Sequence, residues 1–188
     1  MDKTELRNFC RRKIKNTPPK DFTEWGEMIS TLIIGTEKWK TAETVFVFVS
    51  LPGEIDTRRL LKTALESKRL CVPKITGNGT MEAVEIKNSD DLETGRFKIP
   101  EPKDYCPTVP KEDIDLIIMP CFAADGGGHR LGKGGGFYDR FCKNLNCPKM
   151  VVCPEMLLLK NGEIPTEKWD VGADYVATEN QIIEVKTE

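Results

Sequence analysis

Three short runs constrain this chain more than anything else in it. TVFVFVS at 44–50, DLIIMP at 115–120 and MVVC at 150–153 are almost unbroken stretches of β-branched, aliphatic and aromatic side chains. A strand with one wet face alternates apolar and polar residues. A strand without that alternation is covered on both faces, as in a parallel sheet held between layers of helices. LCVPKI (70–75) and MEAVEI (81–86) read as two more strands, the second following the turn Gly77-Asn78-Gly79. Helical patterns fall between the strands. Leu6, Cys10 and Ile14 recur at helical spacing in a basic first helix that ends at Thr17-Pro18-Pro19. Asp21 with Glu24 has the form of a capping box for a second helix through about Gly35, and Asp56 is expected to cap the helical RRLLKTALES. Residues 95–113 carry four prolines and read as a long irregular connection. A helix is expected from about Gly136 to Asn144, and DYVAT and QIIEV in the tail read as short strands. Strands alternating with helices give an α/β layered domain with a mainly parallel sheet.

The 188 residues suffice for one domain, 1–188, with a core that needs no staples. A hydrophobic share of 39 % against 31 % charged residues is the balance of a folded globular chain. The net charge of −2 argues against nucleic acid as a partner. No apolar run reaches the roughly 18 residues of a membrane span, and the charged N-terminal stretch MDKTELRNFCRRKIK lacks the apolar core of a signal peptide. Seven cysteines without a CxxC pair, beside the single histidine His129, do not make a structural zinc site. Free thiols in a reducing, cytoplasmic setting are the simplest reading, with cysteine as core filler rather than nucleophile.

The chemistry concentrates in DLIIMPCFAADGGGHRLGKGGGFYDRF, residues 115–141, which runs strand, glycine-rich loop, helix. Glycines let backbone N–H groups close on an anion, a following helix start adds partial positive charge, and His129, Arg130 and Lys133 are interleaved among them. Gly127 to Lys133 fits G-x-x-x-x-G-K, but Gly134 stands where a P-loop needs the hydroxyl that binds magnesium. A metal on a bound nucleotide must therefore be held by carboxylates, with Asp139 nearest and Asp170 and Asp174 in WDVGAD as further donors. Lys3 and Arg7 share a helix face, either to grip phosphate together or simply to meet solvent. Glu54 is either a complement to the next helix dipole or a carboxylate at the ligand edge of the sheet. Of Phe137 and Tyr138, one is expected in the core and one as a stacking wall.

These residues resemble the 5-formyltetrahydrofolate cyclo-ligase family. Its signature, approximately D-x-x-G-x-R-L-G-x-G-x-G-Y-Y-D-R, stands here as Asp125 to Arg140, with Phe137 in place of the first tyrosine. Four blocks before it and after it follow in the family's order: KTELR at 3–7, SLPGEIDT at 50–57 with VPK at 72–74, TGRFKIPEP at 94–102, and the PxxxWDVGADYVATE tail. The resemblance implies a three-layer α/β/α fold with a mainly parallel sheet, similar to the sugar-phosphate isomerase and CoA-transferase folds. It implies a monomeric, cytoplasmic ligase that uses ATP and Mg2+ to convert 5-formyltetrahydrofolate to 5,10-methenyltetrahydrofolate, releasing ADP and phosphate. By position it places ATP on Lys3, Thr4, Glu5, Leu6 and Arg7 and on Arg130, Leu131, Gly132, Lys133, Gly134, Gly135, Gly136, Phe137 and Tyr138. Folate would lie against Val49, Glu54 and the stretch Lys133–Phe137, and the metal on Asp139 and Asp170. Lys133, Arg130 and Lys3 would stabilise charge on the transferred group. Two departures stand out. Trp169 occupies a position where the family has histidine or a polar residue, and VVCPEMLLL replaces an A-F-x-x-Q element, leaving Glu155 to stand in for its glutamine. The competing expectations are another small ATP- or sugar-phosphate-binding enzyme on the same fold, which would ignore folate, and a non-catalytic binding module, which would not need a metal pair.

Overall fold

The computed structural model describes residues 1–95 and 100–186. Residues 96–99 of the TGRFKIPEP block lie outside the described residues. Five helices, α1 (Lys3–Lys15), α2 (Pro19–Gly35), α3 (Glu37–Thr41), α4 (Arg58–Ser67) and α5 (Phe137–Cys142), flank an eight-stranded sheet among the described residues. In sequence its strands are β1 (Thr44–Val47), β2 (Arg69–Ile75), β3 (Met81–Ile86), β6 (Thr108–Val109), β7 (Leu116–Pro120), β10 (Lys149–Val152), β12 (Tyr175–Ala177) and β13 (Ile182–Glu184). Their order across the sheet is β13-β12-β10-β7-β1-β2-β3-β6. The run from β12 to β2 is parallel, while β3, β6 and β13 pair antiparallel. The mainly parallel α/β reading therefore holds, and the expected connection at 95–113 contributes strands β5 (Pro100–Pro102) and β6. Strand β5 pairs with β4 (Leu92–Thr94). Strands β8 (Ala123–Asp125) and β9 (Arg130–Leu131) form a hairpin joined by β11 (Leu158–Leu159).

The central strands feed two cores. Val45, Val47, Leu116, Ile118, Met150 and Val152 face one side with Ile29 and Ile33 of α2, Trp39 of α3 and Leu60 of α4. Phe46, Ile117, Met119 and Val151 face the other side with Leu6 and Cys10 of α1 and Phe141 and Cys142 of α5. Full burial on both faces removes the need for alternation, which is why these runs are apolar throughout. Three layers result: α2–α4, the sheet, then α1 with α5.

Several local expectations differ. Helix α2 starts at Pro19, because proline at the first helical position loses no hydrogen bond there; its N-cap, Pro18, makes no side-chain cap, so Asp21 and Glu24 form no capping box. Asp2 instead caps α1, with Glu5 completing the box; the N-cap of α4 is Thr57 rather than Asp56, although Asp56 accepts from the Arg58 N–H at 2.9 Å. TVFVFVS stops being a strand at Val47, and the buried Thr57 hydroxyl donates to the Phe48 carbonyl at 2.8 Å as the chain turns away. Helix α5 is six residues long and not nine, so its dipole is a small part of any anion site.

Strand β1 starts the parallel set, with β2 on one side and β7 on the other. Connections leave it in opposite directions, and the crevice at such a switch point, beyond the carboxyl ends of the strands, is where ligands bind in open α/β sheets.

Candidate active site

A cavity of about 1040 Å3 opens at that crevice. Phe48, Val49 and Glu54 line it after β1, Pro73 and Ile75 from the end of β2, and Pro120 and Cys121 from the end of β7. Helix α1 contributes Lys3 and Arg7, the loop contributes Arg130–Tyr138 and Asp139, and the tail contributes Glu167 to Val171.

The glycine-rich segment, which composition suggests is one cradle, is two devices. Gly126–Gly128 sit at the tip of the β8–β9 hairpin, away from the cavity. The carboxylate of Asp125, 0 % exposed, accepts from the backbone N–H of Gly127 at 3.0 Å and of His129 at 3.1 Å. His129 Nδ1 lies 3.1 Å from the same carboxylate and faces no ligand space. The Gly128 carbonyl accepts from the Ala173 N–H at 2.8 Å. Gly128 has φ +81, and a Cβ there would overlap the Ala173 carbonyl oxygen. The first glycines thus clip the hairpin to the segment that carries Asp170. Only Arg130–Gly136 line the cavity, where Gly134 (φ +105) and Gly136 (φ +64) adopt conformations open to glycine.

Cations and carboxylates meet in pairs across the cavity. Lys3 Nζ lies 2.6 Å from Asp170 and 2.7 Å from Glu167. Desolvation lowers the Lys3 pKa, but the two carboxylates outweigh it and hold the ammonium above its ordinary range. Arg130 Nη2 lies 2.6 Å from Asp139 Oδ1, which also accepts from the Val171 N–H at 3.1 Å. Lys133 pairs with Glu54, whose other oxygen accepts from the Leu51 N–H at 2.8 Å. Arg7 Nε donates to the Gly132 carbonyl at 2.9 Å, tying α1 to the loop. Among the described residues Arg130 Nε is buried without a hydrogen-bond partner, a donor left for a ligand oxygen.

The remaining expected residues divide. Thr4, Glu5 and Leu6 do not line the cavity: Leu6 is core at 1 % exposure, Glu5 accepts from the Asp2 N–H at 2.9 Å, and the Thr4 N–H is spent on the Asp2 side chain. Asp174 pairs with Lys149 at 3.1 Å, and neither Asp174 nor Glu155 lines the cavity. Phe137 and Tyr138 both line it, so the expected division between core and wall falls within Tyr138. That ring packs edge-on against Phe46, and burial pushes its hydroxyl pKa far up. Trp169, 59 % exposed, also borders the cavity. Sequence reasoning missed Glu167, Arg140 and Glu101. Glu167 sits three residues before Asp170, a spacing that offered a signal. Arg140 lies one turn into α5 and bridges the Gly135 and Gly79 carbonyls.

Fold and cavity together define an anion-binding enzyme of the layered α/β class. The 5-formyltetrahydrofolate cyclo-ligase family model matches residues 1–179. The chain is 30 % identical over 183 residues to the 5-formyltetrahydrofolate cyclo-ligase of Escherichia coli (strain K12), covering 94 % of this chain and 100 % of that one. The NMR structure of Aquifex aeolicus 5,10-methenyltetrahydrofolate synthetase superposes with a TM-score of 0.89 at 28 % identity, covering 100 % of this chain and 95 % of that one. A Mycoplasma pneumoniae 5,10-methenyltetrahydrofolate synthetase shares the fold with a TM-score of 0.74 at 18 % identity, covering 99 % and 100 %. The chain belongs to the 5-formyltetrahydrofolate cyclo-ligase family and is a ligase that uses ATP as co-substrate. The reading as a different phosphate-dependent enzyme is not favoured.

Proposed function

We propose that the cavity joins ATP to 5-formyltetrahydrofolate and closes the folate to the 5,10-methenyl form. The observation that carries this reading is the convergence of Lys3, Arg130 and Lys133 on one cavity, with the buried Arg130 Nε still unpartnered among the described residues.

A formamide carbon is a poor electrophile and its oxygen a poor leaving group. The formyl oxygen attacks the γ-phosphorus of ATP, the bond to the bridging oxygen breaks, and ADP leaves. The resulting iminium phosphate has an activated carbon. N10 attacks that carbon, loses its proton, and phosphate departs with the former formyl oxygen. The protein's work is positioning and charge stabilisation, as in other phosphoryl transfers. Lys3, Arg7, Arg130 and Lys133 stabilise charge on the transferred group, and the backbone of Arg130–Tyr138 lies along the triphosphate. Val49, Glu54 and the stretch Lys133–Phe137 face the folate. Because Glu54 is paired with Lys133, it couples the two halves of the cavity.

The donor set fits Mg2+ that arrives on the nucleotide. Asp139 and Asp170 offer hard oxygens, and one or two carboxylates suffice when phosphate oxygens and water complete the shell. Among the described residues no cluster of three or more His, Cys, Asp or Glu side chains forms a cage of its own. Asp139 and Asp170 would hold the ion, which would supply charge neutralisation to the phosphates.

We further propose a single catalytic domain over 1–188, supported by one sheet that runs through both cores. It acts as a cytoplasmic monomer without nucleic-acid partners, a reading supported by its free thiols and its net charge of −2. No helix among the described residues is long and apolar enough to cross a membrane.

The test is a mixture of protein, 5-formyltetrahydrofolate, ATP and Mg2+, followed by the near-ultraviolet absorbance of the methenyl product. Product should form with ATP and not without it. Absence of product, or equal formation without ATP, contradicts the proposal.

A further inference from the structure

Among the described residues five carboxylates line the cavity: Glu54, Glu101, Asp139, Glu167 and Asp170. Four of them are ion-paired, with Lys133, Arg130 and Lys3. Glu101 makes no ion pair among the described residues, and its Oε1 is buried without a hydrogen-bond partner there. A buried acceptor left without a donor costs free energy that a ligand donor recovers.

The surroundings of Glu101 are specific. It lies on β5, which packs against β2 and β3. Pro73 and Ile75 of β2 and Met81 of β3 line the same cavity and offer an apolar wall. Gly95, just after β4, lies beside the Glu101 side chain and leaves room for the carboxylate. A Cβ at Gly95 would overlap Glu101 Oε2, and Cδ and Cγ of Glu101 are the next atoms it would meet. Apolar wall and isolated carboxylate together suit a flat heterocycle that carries two adjacent N–H donors.

We propose that Glu101 recognises the pterin ring of the folate, accepting from its 2-amino group and N3–H; this rests on the folate reading above. The other parts of the two substrates do not fit. The glutamate tail of folate and the phosphates of ATP are anions and are repelled. Adenine presents one donor beside an acceptor, and that acceptor would face the carboxylate. Glu54 is less free for the role, because one of its oxygens is held by the Lys133 ammonium and the other accepts from the Leu51 N–H.

The experiment is calorimetric titration of 5-formyltetrahydrofolate, without nucleotide, into wild type, Glu101→Gln and Gly95→Ala, each checked for a wild-type thermal unfolding profile. Glu101→Gln should weaken folate binding roughly 10- to 100-fold, the range of a lost charge-assisted pair. Gly95→Ala keeps the carboxylate but displaces it, and should weaken folate in the same direction. Binding of a non-hydrolysable ATP analogue should be unchanged in both. With a 2-desamino folate analogue, which keeps only the N3–H donor, the Glu101→Gln penalty should shrink. Wild-type folate affinity in Glu101→Gln, equal loss of nucleotide, or a Glu101→Gln penalty that persists undiminished with the desamino analogue overturns the assignment while leaving the folate reading in place. Failure of the wild type itself to bind 5-formyltetrahydrofolate overturns both.

Discussion

Lys3 Nζ and an Asp170 carboxylate oxygen lie 2.6 Å apart, although 167 residues separate them along the chain. The pair sets a cation proposed to bind phosphate against an acid proposed to hold the metal, and Arg130 with Asp139 repeats the arrangement at 2.6 Å. In the free protein each group already has its opposite charge. A divalent ion arriving alone must displace Lys3 or Arg130 from its acid. A triphosphate arriving alone must draw the cations away and leave two acids facing its own charge. Together the two ligands exchange partners without leaving a bare charge.

Nucleotide and magnesium should therefore bind synergistically. Calorimetry with a non-hydrolysable ATP analogue is expected to show each raising the affinity for the other about tenfold or more, a coupling of ordinary size for linked sites. Lys3→Ala should strengthen Mg2+ binding alone while weakening the nucleotide. Strictly independent binding of the two in wild type would refute the exchange.

Lys133→Ala and Asp139→Asn should each reduce ATP-dependent turnover by about 10²- to 10³-fold, as loss of a preorganised charge contact does. Neither should change the far-ultraviolet circular dichroism. Steady-state rates decide the matter, and near wild-type turnover in both variants would remove the loop from the chemistry.

Gly128→Ala tests the clip between the β8–β9 hairpin and the tail. Alanine at φ +81 is strained, and its Cβ meets the Ala173 carbonyl oxygen, a backbone atom that cannot swing aside. Denaturant unfolding should show a loss of about 1–3 kcal/mol. Because Asp170 lies three residues before Ala173, Mg2+-dependent nucleotide binding should weaken as well. A variant as stable as wild type would show that the tip is not a clip.

The contrast between the two glycine groups shows where sequence reading reaches and where it stops. MEAVEI and RRLLKTALES carry their period within themselves, and both elements occupy the residues expected, 81–86 and 58–67. The chemical types were equally legible: basic side chains at 3, 7, 130 and 133 and acids at 54, 139 and 170 all line the cavity. Gly126–Gly128 were not, because composition cannot tell a turn that docks on Ala173, 45 residues further on, from one that receives phosphate. The ion pairs escaped for the same reason, since each partner sits on a different element. TVFVFVS was read too long because its apolar run continues past Val47 into the residues that wall the cavity, where Thr57 replaces the ladder hydrogen bond. Glu101 lay inside the TGRFKIPEP block that carries the resemblance, but as one acid between two prolines it had no chemical signal of its own.

Thiol chemistry separates Cys121 from the fully buried thiols, of which Cys142 also borders the cavity. Burial pushes the thiols of Cys71 and Cys142 up to about 12 and that of Cys153 well above the usual cysteine range. In the native protein at pH 8 these three should resist iodoacetamide, as thiols that stay protonated do. Cys121 lines the cavity and should react, with folate and nucleotide protecting it. Peptide mass mapping reads the result. Rapid labelling of Cys153, or labelling of Cys121 indifferent to both ligands, would contradict the cavity as described.

The most direct test follows one oxygen atom. In the account above, the formyl oxygen bonds to the γ-phosphorus of ATP inside the cavity formed by Arg130–Tyr138 and leaves with it. Single-turnover reaction of 5-formyltetrahydrofolate carrying ¹⁸O in the formyl group should deliver that label into inorganic phosphate, one atom per methenyl product formed. Unlabelled phosphate, with the ¹⁸O recovered in water, would show that the phosphoryl group never reached the formyl oxygen.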